Sequence, residues 1–83
     1  MKTIIFTRQA AKDLDALLDQ EREVVTRGLD DYALTGDGDV QPLAGRKGYR
    51  LRIGVWRVIF DEDAATILAI YIGRRGTTTY RRN

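Results

Sequence analysis

The sequence predicts an α+β domain: an N-terminal strand, then an antiparallel helical hairpin packed on one face of a small antiparallel β-sheet. Three observations carry that prediction. Two stretches of amphipathic helical spacing follow one another between residues 8 and 34. From Tyr49 to Phe60, apolar and arginine side chains alternate with the period of a strand. Thr66 to Ile72 (TILAIYI) is nearly all apolar, too short for an ordinary helix, and rich in β-branched residues.

Taken in order, Thr3 to Phe6 is a short apolar run best read as a strand. Thr7 is placed to cap a following helix, since a threonine oxygen accepts from the free N–H groups of the first turn. From Arg8 onward, Ala11, Leu14, Leu17 and Leu18 recur at helical spacing, with Lys12, Asp13, Asp15 and Asp19 mostly opposite. A tight connection near Asp19-Gln20 leads to a second helix from about Glu21 to Leu34, carried by Val25, Leu29 and Tyr32. Gly36 is its expected stop. Both apolar stripes need a sheet to cover, so these positions are assigned to the core and to no chemistry.

Thr35 to Asp39 (TGDGD) is a loop punctuated by glycine and aspartate. Its aspartates lack the twelve-residue frame and closing glutamate of a calcium loop. Val40 to Leu43 then leads to Gly45-Arg46-Lys47-Gly48, which reads either as a solubilising turn or as a rim that touches phosphate.

Tyr49, Leu51 and Ile53 alternate with Arg50 and Arg52; Trp56, Val58 and Phe60 alternate with Arg57 and Ile59. A two-residue link at Gly54-Val55 makes this a hairpin in which Ile53 faces Trp56, Arg52 faces Arg57 and Leu51 faces Val58. That register puts Arg50, Arg52 and Arg57 on one face, where like charges opposite one another are destabilising. Three converging guanidiniums point to an anion site; the plainer alternative is solvated arginines, or arginines paired with carboxylates elsewhere. Asp61 to Ala64 is an acidic turn, and Thr66 to Ile72 suits a central strand buried on both faces. Gly73-Arg74-Arg75-Gly76, the run Thr77 to Tyr80 and the basic tail Arg81-Arg82 follow.

Eighty-three residues predict one domain, spanning 1–83, that buries about 60–65% of its unfolded surface and is marginally stable alone. With no cysteine and no histidine there is no disulfide framework, and a thiolate or imidazole metal site or a Ser-His-Asp triad is excluded. No metal and no cofactor is expected. No apolar run approaches 18 residues, and the N-terminus MKTIIFTRQAAKDLD is charged almost at once, so neither a membrane span nor a signal peptide is expected. Absence of cysteine fits a cytoplasmic protein. The net charge of +2 conceals an asymmetry. Residues 1–43 carry five basic and nine acidic side chains, a net of −4; residues 44–83 carry nine basic and three acidic ones, a net of +6. Either the basic half meets nucleic acid or an acidic partner, or the acidic helices and basic sheet attract each other within the fold.

The run G-Y-R-L-R-I-G-V-W-R-V-I-F-D from Gly48 to Asp61, followed by I-Y-I-G-R-R from Ile70 and a near-terminal tyrosine, resembles the RelE/ParE superfamily of toxin–antitoxin toxins. The resemblance covers essentially the whole chain and implies the microbial-RNase-like fold of that superfamily. It implies two activities. RelE-like toxins enter the ribosomal A site and cut mRNA without a metal ion; ParE-like toxins bind and inhibit DNA gyrase without catalysis. In either case a cognate antitoxin is implied as partner, with the ribosome and mRNA, or gyrase, as target.

Carried over from the RelE branch, Arg50 and Arg52 lie at the two basic positions of one strand and Arg57 at the arginine of the next. Arg75, or its neighbour Arg74, matches the arginine after the last strand's glycine, and Tyr80 the near-terminal tyrosine. Arg52, Arg57, Arg75 and Tyr80 are therefore the catalytic candidates. Arg46, Lys47, Arg50, Arg74, Arg81 and Arg82 are the candidates for RNA and phosphate binding. Cleavage by the ribose 2′-OH needs a base, stabilisation of the phosphorane and protonation of the 5′ oxygen. Arg57 and Arg75 suit phosphate, being planar, bidentate and always charged. Tyr80 suits stacking on a base or orienting the nucleotide. A lysine is common in the family where Arg52 stands, and a guanidinium does not give up its proton near neutrality. Either Tyr80 helps move the proton, or catalysis is electrostatic and positional, or the protein is not an RNase.

Overall fold

The structure, a computed structural model, describes residues 1–75. Its elements are β1 (Thr3–Phe6), α1 (Arg8–Asp15), α2 (Asp19–Thr35), β2 (Asp39–Pro42), β3 (Tyr49–Ile53), β4 (Trp56–Glu62) and β5 (Thr66–Arg74). The five strands form one sheet in the order β1-β5-β4-β3-β2. The α+β class and the helical pair on a sheet stand as read from the sequence.

The sheet is antiparallel except at one edge, where β1 runs parallel to β5, with Thr3 beside Thr66 and Phe6 beside Ala69. Parallel neighbours need a crossover, and the helical hairpin belongs to the one that carries the chain from β1 to β5. The β3–β4 hairpin keeps the expected two-residue link. Ile53 pairs with Trp56, Arg52 with Arg57 and Leu51 with Val58, and Gly54 supplies the positive φ (58°) that the turn requires.

Thr7 caps α1, its hydroxyl oxygen accepting from the Ala10 N–H at 3.1 Å. Two details of the helices differ from expectation. In α1, Ala10 rather than Ala11 is buried, with Leu14 half-buried against the same core; beyond the helix Leu17 also packs there, whereas Leu18 is 71% exposed. The connection falls at 16–18 rather than at Asp19-Gln20, because Arg22 reaches back from α2. Its guanidinium donates to the carbonyls of Leu14, Asp15 and Leu17 at the open end of α1 and to the Asp19 carboxylate. A cation there also complements the negative end of the helix. Gly36 ends α2 in the left-handed conformation, its N–H bonded to the Tyr32 carbonyl at 2.8 Å.

Both helices lie on one face of the sheet. Val25, Leu29 and Ala33 of α2 meet Leu51, Val58, Phe60, Ile67, Ala69 and Ile72 of the strands. Phe60 sits between the rings of Tyr32 and Tyr49, each centroid 5.5 Å away. On the same side the Glu62 carboxylate receives the Lys2 ammonium at 2.7 Å and the Tyr32 hydroxyl at 2.8 Å. Burial and that carboxylate push the Tyr32 phenol up to about 12.

β5 is not buried on both faces. It stands second in the sheet, next to edge strand β1, and only Ile67, Ala69 and Ile72 are buried. The helices cover one face alone, which leaves Leu68 and Tyr71 half-buried on the other. A bulge at Ile70, opposite Ile59-Phe60, shifts the alternation so that Ala69 and Ile72 both meet the core. Thr7 holds that bulge by donating to the Ile70 carbonyl, and the Asp13 carboxylate accepts from the Ile72 N–H, both at 3.0 Å. Among the described residues no helix is long and apolar enough to cross a membrane.

Candidate nucleic-acid interface

The helix-free face of the sheet is where the arginines gather. Because Trp56, Val58 and Phe60 face the helices, Arg57 and Ile59 point the other way, and their cross-strand partners follow. One row across the sheet is Asp39, Arg52, Arg57 and Gly73; the next is Gln41, Arg50, Ile59 and Tyr71. Ile59 is only 2% exposed although it lies outside the helix-side core, so this face has an apolar floor beneath its cations.

At the end where β3 turns into β4, an open depression of about 480 Å³ is lined by Arg50, Arg52, Val55, Arg57, Arg74 and Arg75. Edge strand β2 answers part of that charge. The Arg52 Nε lies 3.7 Å from an Asp39 carboxylate oxygen, and Arg50 donates to the Gln41 side-chain oxygen. Arg75 is fixed to the turn, its backbone N–H bonded to the Val55 carbonyl at 2.7 Å and its guanidinium to the Gly54 carbonyl at 3.0 Å. Arg74 lies over the Trp56 ring, 5.6 Å from its centroid. Arg57 has no acidic partner among the described residues, and the Nε atoms of Arg50 and Arg57 are buried without an acceptor. A buried donor with no acceptor is costly, by about 1–3 kcal/mol. Five arginines thus face one paired carboxylate, an arrangement suited to a polyanion.

The fold brings together Arg50, Arg52, Arg57, Arg74 and Arg75 among the residues singled out from the sequence. Lys47 lies at the opposite end of the hairpin, where it pairs with Asp61 at 3.5 Å. It lines a separate depression with Ile5, Asp61, Glu62, Asp63, Thr66 and Leu68. Arg46, in the same turn, is likewise at that end of β3. Tyr80, Arg81 and Arg82 lie outside the described residues.

Sequence reasoning missed three contributors. Asp39 and Gln41 belong to a strand that the D-V-Q alternation signals only over three residues. Tyr71 was absorbed into an apolar run, yet its ring stands on the arginine face. Its hydroxyl was the signal available. Among the described residues no group of three or more acidic or metal-ligating side chains is placed to hold a metal ion.

No family model matches the chain, and no curated protein matches it. Solved structures do share its architecture. The toxin–antitoxin complex RelBE2 from Mycobacterium tuberculosis contains a chain that superposes with a TM-score of 0.78 at 23% identity, over 89% of this chain and 98% of that one. The archaeal RelE–RelB complex from Pyrococcus horikoshii gives 0.74 at 23% identity, over 90% and 96%. The YoeB dimer from Staphylococcus aureus gives 0.70 at 21%, over 84% and 92%. The protein therefore has the fold of RelE-type toxins, as the pattern of its hairpin and last strand implied.

Proposed function

We propose that the protein is the toxin of a type II toxin–antitoxin pair and acts as a metal-independent mRNA endoribonuclease in the ribosomal A site, in the cytoplasm. The observation that carries this reading is the convergence of five arginines on one open depression: Arg50, Arg52 and Arg57 on the sheet face that the helices leave free, and Arg74 and Arg75 at the end of the sheet where β3 turns into β4. The fold it shares with chains solved as RelB–RelE antitoxin–toxin complexes supports the toxin assignment and a cognate antitoxin as partner.

In this reading the mRNA backbone lies across the row Arg52–Arg57. The ribose 2′ oxygen attacks the adjacent phosphorus, and the bond to the 5′ oxygen of the next nucleotide breaks, leaving a 2′,3′-cyclic phosphate. Arg57 binds the non-bridging oxygens, whose charge grows in the phosphorane. Its burial makes that contact stronger than one in bulk water. Arg75, held by the turn, takes the flanking phosphate, with Arg50 and Arg74 at the rim. Tyr80 orients the nucleotide. The 2′ proton and the proton for the leaving oxygen pass through Tyr80 or water, because guanidinium groups keep theirs.

A second reading has its own observation. No lysine lines the arginine depression, and Lys47 is paired with Asp61 at the other end of the sheet. A surface of arginines alone is also what a ParE-like inhibitor needs to bind DNA gyrase. Primer extension on mRNA in a reconstituted translation system separates the two. Cuts at A-site codons that require ribosomes are expected; an uncut message, with gyrase supercoiling inhibited by the same sample, would replace the first reading with the second.

A further inference from the structure

On the arginine face, Tyr71 stands in the row next to Arg57 but does not stay within its row. An ideal Cβ built on Gly73 would lie 2.4 Å from the Tyr71 hydroxyl oxygen, 2.8 Å from the ring carbon bearing it and 3.0 Å from the adjoining ring carbon. The ring therefore leans along β5 across Gly73, which is the cross-strand partner of Arg57. Only a residue without a side chain leaves that space. The result is an aromatic surface on the sheet beside the arginine of the central strand, with half-buried Tyr71 at its outer side.

We propose that Tyr71 is a positioning residue: its ring is the platform on which one base of the bound RNA stacks, while Arg57 holds the adjoining phosphate. The role rests on the RNase reading above and deepens it. Phosphate contacts fix register without distinguishing nucleotides, whereas an aromatic plane beside the phosphate site fixes where the base, and with it the 2′-OH, is held. A tyrosine leaning over a strand glycine also shields the strand backbone, a structural role that would show as stability alone.

A cycle between protein and substrate distinguishes these roles. The full-length protein is added at saturating concentration to ribosomes programmed with an mRNA whose A-site codon carries one abasic residue at a time. The single-turnover cleavage rate is then measured. At one codon position, removal of the base is expected to slow the wild type about tenfold, the size of one base–aromatic stack. Tyr71→Leu should cut the intact codon about tenfold more slowly and lose nothing further at that abasic position. Tyr71→Phe, which keeps the ring, should stay within about twofold of wild type.

Gly73→Ala gives the same test with every arginine and the tyrosine retained, since the new methyl displaces only the far end of a side chain. It should behave as Tyr71→Leu does, and it carries the cycle if thermal melting finds the leucine variant unfolded. Full activity of folded Tyr71→Leu would overturn the platform, as would losses that multiply rather than merge, or a Phe variant as slow as the Leu one. A wild type that cuts no codon overturns the RNase reading and this role together, a failure distinct from any in the variants.

Discussion

The two faces of one five-stranded sheet handle charge in opposite ways. On the helix side, the Glu62 carboxylate is closed by an ammonium on one oxygen and a phenol on the other, beside a continuous apolar core. On the open side, Arg50, Arg52 and Arg57, joined at the sheet end by Arg74 and Arg75, meet one carboxylate, and two guanidinium nitrogens are buried without acceptors. The first arrangement is complete in itself; the second leaves positive charge that an anion would satisfy. The open face repeats the contrast along its length, since Lys47 at the far end has its own aspartate.

If the contrast is correct, mutations on the helix side change stability and mutations on the open side change activity. The largest effect is expected from Phe60→Ala, which empties the space between the Tyr32 and Tyr49 rings. About 3–5 kcal/mol should be lost, enough to unfold a domain of this size, as read by urea denaturation. Arg57→Ala should leave the urea midpoint close to wild type yet slow mRNA cleavage by about 100-fold or more and end growth arrest. A folded Arg57→Ala protein that still arrests growth would collapse the distinction between the faces.

Tyr32→Phe is a smaller, purely structural test. It removes the hydrogen bond to Glu62 and should cost about 1 kcal/mol at neutral pH with cleavage unaltered. The folded phenol titrates at about 12 against an ordinary 10.0. Its contribution to stability is therefore whole below pH 10 and lost as the pH rises through 12. Denaturation between pH 9 and 12 should show the wild type losing stability that the Phe variant no longer has to lose. The smallest effect belongs to Lys47→Ala, in the turn before β3, at the end of the hairpin away from the Gly54-Val55 link. Exposed and paired with Asp61, it should alter cleavage about twofold or less. A loss comparable with that of Arg57→Ala would mean that the anion site runs the length of the sheet.

Much of this architecture was legible in the chain. The Gly54-Val55 link and the alternation on either side fixed the hairpin register, because a one-residue slip would turn every arginine into the core. The cap at Thr7 and the stop at Gly36 were equally local. Less local features were hidden. Ala10 and Ala11 are indistinguishable until the sheet is present, and Leu18 follows helical spacing although Arg22 closes the helix before it. The same holds at the site. Period two placed Arg50, Arg52 and Arg57 on one face, but not Arg75 on the turn carbonyls, Asp39 against Arg52 or Tyr71 over Gly73.

What the sequence determined by itself is whatever depends on neighbours along the chain: caps, stops, the turn, the alternation that sends arginines one way and apolar residues the other, and the basic excess of the second half. What only the tertiary structure decided is which strands lie side by side. The sheet order β1-β5-β4-β3-β2 brings β5 against β4 and β2 against β3, so that one row draws Asp39, Arg52, Arg57 and Gly73 from four strands. No local periodicity encodes that row. It follows from burying the apolar faces of β3, β4 and β5 under the same two helices, which aligns their opposite faces as a consequence.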